Sequence, residues 1–272
     1  MSYSTKMSSL KPGLILILVD QSGSMTEQYT PQQNKAEFTS AAVNRVINTI
    51  VTANMDGEKV KQRCFIAIIG YGEKVKSIQT GSLQDFADNP KRTESVMRRE
   101  LDGAGGILEL PFEMPIWLEA EAGNGTPMHR AFGEAYKVVE DWVKGKQDHA
   151  APIIINITDG MPDSIPETEK EAEKVKSLGT ADGKVLIFNA HISDSSQNKI
   201  FFPGSSSELN DEYAQFLFRI SSEVPESMHA SASSQGFDVK QGSRGMVFNA
   251  DAEALVRLLN FGSTGVMPAP AE

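Results

Sequence analysis

Residues 20–24 read Asp-Gln-Ser-Gly-Ser, which sets three oxygen-bearing side chains, Asp20, Ser22 and Ser24, at alternate positions directly after an apolar run at 14–19. Carboxylate and hydroxyl oxygens are hard ligands, and a turn eased by Gly23 lets such a loop wrap one face of a small divalent cation. Two further segments carry the same chemistry. Gly125-Thr126-Pro127 stands just before a predicted helix, and Thr158-Asp159-Gly160 follows a second apolar run at 152–157. Together Asp20, Ser22, Ser24, Thr126 and Asp159 supply most of an oxygen shell, with water or a partner's group completing it. An all-oxygen set favours Mg²⁺, with Mn²⁺ or Ca²⁺ as alternatives, over Zn²⁺. Few protein charges would touch the cation, so it would stay electrophilic toward an incoming carboxylate.

Such residues have to be held at the ends of buried strands, and the surrounding sequence predicts them. The runs at 14–19 and 152–157 read as continuously apolar, as expected of strands covered on both faces in a parallel sheet, and 184–191 reads as a further buried strand. Residues 63–69 and 74–79 predict two more strands joined by a tight hairpin at Tyr71-Gly72-Glu73, and 246–248 a short edge strand. A helix is predicted over 35–53, where Ala42, Val46 and Ile50 share a face with Val43 and Ile47 beside them. Others are predicted over 127–143, with proline at its first position, and over 167–178, 210–222 and 250–259.

The remaining stretches are less regular. Residues 83–99 predict short helical material, with Asn89-Pro90 capping a helix from about Lys91, and Pro111 and Pro115 exclude a long regular element over 108–118. The Gly103–Gly106 cluster lacks a preceding strand and the full dinucleotide fingerprint, so it reads as a loop. Residues 194–207 predict an exposed loop and 227–236 a mobile serine-rich stretch. Strands alternating with helices predict an α/β, doubly wound (Rossmann-like), mostly parallel six-stranded sheet with one antiparallel edge hairpin and helices on both faces. Ligands of such sheets bind outside the carboxyl ends of the strands, where Asp20 and Asp159 fall. The predicted division is an N-terminal extension at 1–12, one domain at 13–263 and a flexible C-terminal tail at 264–272.

Bulk properties narrow the function. With 26 Lys and Arg against 36 Asp and Glu, the 272-residue chain carries a net charge of −10. It lacks the basic footprint of a nucleic-acid binder and is ill suited to anionic membrane. The one cysteine, Cys64, can form neither an internal disulfide nor a cysteine metal cluster, which suits a reducing compartment. The run at 14–19 is too short for a membrane helix and lacks the order of a signal peptide. The expectation is a cytoplasmic protein.

The pattern Asp20-x-Ser22-x-Ser24, a distant Thr126 and a distant Asp159 resembles the metal-ion-dependent adhesion site of the von Willebrand factor A domain family. The resemblance covers roughly residues 14–262 and includes the apolar strand before each acid, the Ile68-Ile69-Gly70-Tyr71-Gly72 hairpin and the late strand–helix unit at 246–260. It implies the family's fold and a bound Mg²⁺, Mn²⁺ or Ca²⁺ that holds a partner protein, often through an acidic side chain. By the same resemblance Ser22 and Ser24 would coordinate directly, Thr126 directly in the high-affinity arrangement, Asp159 directly or through water, and Asp20 mostly through water. Residues 102–123 and 194–204 are richer in glycine or serine than a minimal domain of this kind needs, and read as insertions near the site or as loops. Thr158-Asp159-Gly160-Met161-Pro162-Asp163 and the single-domain layout are similar to the bacterial tellurite-resistance-type group. That group implies a kinase-like or PP2C-like protein partner in a stress or phage-defence system. Chelatase-type members, which work with AAA+ ATPases, share the motif.

Two other functions compete. Asp20 at a strand end beside a metal could serve a Mg²⁺-dependent phosphotransfer enzyme as nucleophile. Against this, Ser22 stands where a second aspartate is usual, and neither a phosphate-cradling loop nor a nucleophile elbow occurs. Alternatively, the metal could be purely structural in a scaffold. The sequence is read as that of a non-enzyme. Asp163, Glu27 and His129 read as solvated residues or as supports behind the ligands. No histidine among His129, His149, His191 and His229 has helical zinc spacing, and Trp117 and Trp142 read as core.

Overall fold

The computed structural model describes residues 2–101, 107–193 and 198–263. β1 (Gly13–Asp20) is buried along its whole length. Its alternation divides the apolar run between two cores: Ile15, Ile17 and Val19 join one, and Leu14, Leu16 and Leu18 the other. A strand apolar on both sides belongs inside a sheet with helices on both faces. α1 (Lys35–Ala53) follows, then the antiparallel hairpin of β2 (Cys64–Tyr71) and β3 (Val75–Ser82). α2 (Leu83–Asp88) leads into a separate two-stranded ribbon, β4 (Arg92–Leu101) with β5 (Ile107–Ile116). The chain returns through α3 (Met128–Val143), β6 (Ile153–Thr158), α4 (Ile165–Ser177) and β7 (Leu186–Ile192). It finishes with β8 (Ile200–Phe201), α5 (Glu212–Ile220), α6 (His229–Ser234), β9 (Met246–Ala250) and α7 (Ala252–Ser263).

The central sheet runs in the order β8-β9-β7-β6-β1-β2-β3. Its five inner strands are parallel, and β8 and β3 are antiparallel edges. One core draws on α1, α2, α6 and α7, the other on α3, α4 and α5. From β1 the chain proceeds to β2 on one side, while β6 lies on the other. The carboxyl ends of β1 and β6 therefore flank the point where the strand order reverses, the place where doubly wound sheets form a crevice. Residues 3–7 pack against the rest of the domain: Ser4 and Thr5 donate their backbone N–H groups to Asp182 Oδ1 at 2.8 and 2.9 Å, and Met7 is buried in the first core.

Several expectations need correction. The sheet has seven strands, not six. The seventh is β8, two residues inside the stretch expected to be an exposed loop and too short to show a period; Ser206–Glu208 in the same stretch forms a 3-10 turn. β9 is consequently no edge strand but lies buried between β7 and β8. The serine-rich stretch contains α6, preceded by a 3-10 turn at Glu226–Met228. No helix starts at Lys91: β4 begins at Arg92, Thr93 and Val96 suit a strand, and β5 provides the backbone partners. Pro111 and Pro115 do not prevent β5. They sit opposite Met97 and Thr93, four residues apart and hence in the same phase of the ladder. With no third strand beside β5 among the described residues, an outward position missing its N–H loses no ladder bond. The Gly103–Gly106 cluster and the tail at 264–272 lie outside the described residues.

Candidate functional site

Asp20 ends β1 and Thr158 ends β6, side by side in the parallel register that pairs Val19 with Ile157. Asp20 is 1% exposed. Its Oδ1 accepts the Ser22 N–H at 2.8 Å and its Oδ2 accepts the Thr158 hydroxyl at 2.8 Å. The Thr158 hydroxyl also lies 2.8 Å from the Tyr213 hydroxyl on α5. With the Thr158 proton given to Asp20, Tyr213 is the donor of that second bond. Burial, with the charge of Asp159 added, pushes the Asp20 carboxyl up to about 7 against the hydrogen bonds of Ser22 and Thr158.

The loop after β1 turns through a 3-10 segment, Gly23–Thr26, and is fastened by the fully buried Met25. This brings Ser22 Oγ within 3.1 Å of Ser24 Oγ, and Ser24 Oγ donates to Asp159 Oδ1 at 2.7 Å. Gln21 locks the same loop to the hairpin. Its N–H donates to Tyr71 O at 2.7 Å, and a Cβ on Gly72 would stand 2.2 Å from Gln21 O. The glycine of the Ile69-Gly70-Tyr71-Gly72 hairpin is required here by close approach, not by turn conformation.

Of the five residues singled out from the sequence, four meet: Asp20, Ser22, Ser24 and Asp159 form one hydrogen-bonded cluster. Thr126 comes to the same rim by its backbone. Gly123 N donates to Gln21 O at 2.7 Å, Thr126 N to Asp163 Oδ1 at 2.8 Å, and Asp163 N to Thr126 O at 3.0 Å. The Thr126 hydroxyl makes no hydrogen bond to the other four among the described residues. Asp163, read from sequence as solvated or supporting, clamps this loop, and Gly125 makes the turn at φ +77°.

Three contributors escaped the sequence reading. Lys35 is 6% exposed, and its Nζ lies 2.6 Å from Glu27 Oε2 and 3.1 Å from Asp159 Oδ2. Burial works against its ammonium, but Glu27 and Asp159 more than offset this and raise its pKa. One signal for it was available: a lysine at the first position of a helix opposes the helix dipole, so it needs an anion nearby. The second contributor is a buried polar ladder beneath the site. Tyr71 OH donates to Asn156 Oδ1 at 2.9 Å, Asn156 Nδ2 to Asn189 Oδ1 at 2.9 Å, and Asn189 Nδ2 to Ser221 Oγ at 2.8 Å at the end of α5. The third is His191, stacked on Phe248 with ring centroids 4.2 Å apart. Burial lowers it to about 4 despite a hydrogen bond to the Asp159 backbone, so it is neutral at pH 7.

No protein-family model and no curated protein matches this sequence. Solved structures do. The chain is similar to the pilus adhesin SpaC from Lactobacillus rhamnosus GG at 14% identity and a TM-score of 0.53, covering 97% of this chain and 31% of that one. It is also similar to a von Willebrand factor type A protein from Catenulispora acidiphila, at 14% identity and a TM-score of 0.38 over 67% of this chain and 34% of that one. Proximal thread matrix protein 1 from the mussel byssus, described with a zinc-occupied metal-ion-dependent adhesion site, matches at 15% identity and a TM-score of 0.41 over 81% and 43%. The chain thus spans about a third of the length of the first two. At these identities the likeness is one of fold.

Proposed function

We propose, from the sequence resemblance to the von Willebrand factor A domain family and the oxygen cluster at the sheet's rim, a cation-dependent protein-binding module. Ser22, Ser24, Thr126 and Asp159 would hold Mg²⁺, and Asp20 would hold the loop that presents them. The oxygen cluster carries this reading. Its neighbouring oxygens stand 3.1 and 2.7 Å apart, bracketing the separation of about 2.9 Å between adjacent ligands of an octahedral Mg²⁺. The donor set is two serine hydroxyls and the Asp159 carboxylate, all hard oxygens that suit a hard ion. Charge supports it too. Asp20 and the side chain of Asp159 are buried, Lys35 pairs with Asp159, and Asp20 has no ion-pair partner among the described residues.

When bound, the cation supplies an open coordination position for a carboxylate of a partner protein. The chain's own part is to hold oxygens still. Asp20 and Met25 fix the serine loop, and Asp163 and Gln21 keep the Thr126 loop at the rim. Asp20 has both oxygens engaged and almost no exposure, which removes the nucleophile that the phosphotransfer reading needs and supports a non-enzyme. The finer assignment, a cytoplasmic protein with a kinase-like or PP2C-like partner in a stress or defence system, is extended from the sequence resemblance alone.

Calorimetric titration with Mn²⁺, and competition by Mg²⁺, tests the site. Wild type is expected to bind one ion. Asp159→Ala and the Ser22→Ala/Ser24→Ala pair should bind at least about tenfold more weakly, roughly 1.4 kcal/mol, while keeping the far-ultraviolet spectrum. Equal binding by the variants would move the ion elsewhere. Capture from native extract in Mg²⁺ and in chelator then tests the partner: one retained equally in both would leave the metal only a structural role.

A further inference from the structure

Lys35 occupies a position that is doubly unfavourable. It is buried, and it places a positive charge at the N-terminal end of α1, where the aligned peptide dipoles already present positive charge. Asn34 alone suffices to start the helix there. Its Oδ1 accepts the Glu37 N–H at 2.8 Å, and Glu37 Oε2 accepts the Asn34 N–H at 2.9 Å. The lysine is therefore not needed for the cap. A buried ion pair is seldom more stable than well-packed apolar side chains of the same volume, so stability alone does not account for it either. Its ammonium instead reaches Asp159, a carboxylate that also faces the serine cluster. Asp159 Oδ1 accepts from the Ser24 hydroxyl and its Oδ2 from the Lys35 ammonium, and its side chain is fully buried between them. Glu27, on the loop that carries the serines, holds the ammonium from the other side, and the Lys35 N–H donates to Glu27 O at 3.0 Å.

We propose that Lys35 is a tethered counter-cation of the Ser22–Ser24–Asp159 site, positioned so that it shares the Asp159 carboxylate with the bound metal and sets the metal affinity below what the oxygen shell alone would give. The inference rests on the metal-binding reading above and adds to it a residue outside the ligand set. Two cations on opposite oxygens of one carboxylate repel each other, and each draws off charge the other would otherwise receive. In the absence of metal the ammonium neutralises Asp159, so the site keeps its shape when empty. With metal bound, Lys35 keeps Oδ2 engaged and leaves Oδ1 as the oxygen facing the hydroxyls. Removing the ammonium should thus have opposite effects on the two states: the metal-free protein becomes less stable and the metal binds more tightly.

The test is Mn²⁺ titration by electron paramagnetic resonance, combined with melting in chelator and in Mn²⁺. Wild type, Lys35→Met and Lys35→Gln are compared, with Lys76→Met as a control. Lys76 pairs with Glu121 at the exposed surface, so its loss removes the same charge without touching Asp159. Lys35→Met is expected to bind Mn²⁺ at least tenfold more tightly than wild type, Lys35→Gln severalfold more tightly, and Lys76→Met within twofold of wild type. Both Lys35 variants should melt lower than wild type in chelator and recover most of the difference in Mn²⁺. If Lys35→Met does not fold even with Mn²⁺, Lys35→Gln decides. Binding by folded Lys35 variants equal to or weaker than wild type overturns the proposal alone, as does an equal gain in Lys76→Met. A wild type that binds no Mn²⁺ overturns the underlying metal-site reading as well.

Discussion

At the rim of the sheet, Asp20, Thr158 and Met25 are all but closed off from solvent, and every loop that reaches the cluster is tied to another by backbone or side-chain hydrogen bonds. In the ribbon of β4 and β5, Met97 is 61% exposed and Leu108 49%. Among the described residues the two strands pair with each other and with no third strand. The rim is over-determined by contacts, whereas the ribbon is held mainly by its own ladder and its base. Trp117 forms that base, donating Nε1–H to Phe86 O at 2.8 Å, while Asn44 Oδ1 accepts the N–H groups of Trp117 and Leu118 at 3.0 Å each. The difference shows what fixes a functional geometry in this fold: not the turn itself but the number of independent anchors behind it.

The largest effects should come from side chains under the rim. Phe188 on β7 is fully buried, stacks near Phe261 with centroids 5.2 Å apart, and fills the space that Gly245 leaves open. Phe188→Ala is expected to cost about 3–5 kcal/mol. Leu110→Ala, at a 43% exposed ribbon position, should stay within about 0.5 kcal/mol. Urea unfolding followed by tryptophan fluorescence measures both. Similar losses at the two positions would break the comparison.

Titration offers a second, smaller contrast, because the rim contains groups that burial has displaced. His191 falls from 6.5 in the unfolded chain to about 4. Between those values the unfolded chain takes up a proton that the native state refuses. The stability associated with neutral His191 is therefore intact above pH 6.5 and is lost as pH falls toward 4, by about 3 kcal/mol in all. Asp20 acts in the opposite direction: raised from 3.8 to about 7, its contribution is present below 3.8 and lost as pH rises through 7. Denaturation midpoints of wild type and His191→Gln in chelator, from pH 7 to pH 4.5, separate the two. The wild type should lose stability relative to the variant as pH falls, and parallel curves would mean that His191 is hydrated in the native state.

Most of the rim could be read from the chain because its signals are local. Two apolar runs predict two buried strands, Asp20 ends the first and Asp159 follows the second, and hydroxyls at alternate positions follow Asp20. α1 emerged with the bounds Lys35–Ala53 because its apolar stripe and end signals agree. What could not be read depends on partners distant in sequence. Lys35 matters only once the chain brings Asp159 beside it, 124 residues away, and Tyr213 only once α5 lies beneath Thr158. The polar ladder of Asn156 and Asn189 is hidden in strands that read as plain apolar runs. The ribbon was misread for a different reason. Proline reads as a break in the sequence, although an unpartnered strand edge tolerates it.

That misreading yields the smallest expected effect and a test of the ribbon's design. Pro111 and Pro115 leave β5 two N–H donors short on a strand that has no third strand beside it among the described residues and would otherwise invite one. The double variant Pro111→Val/Pro115→Val restores those donors and leaves the pairing to Met97 and Thr93 unchanged. Folding stability should shift by no more than about 0.5 kcal/mol, since no buried contact or internal hydrogen bond is lost. Self-association should rise, seen as dimers or larger species in sedimentation velocity at concentrations where wild type sediments more slowly. A variant that sediments as wild type would mean that the exposed side chains, not the prolines, protect this edge. The ribbon would then owe its solubility to its faces, and the contrast with the rim would narrow to burial alone.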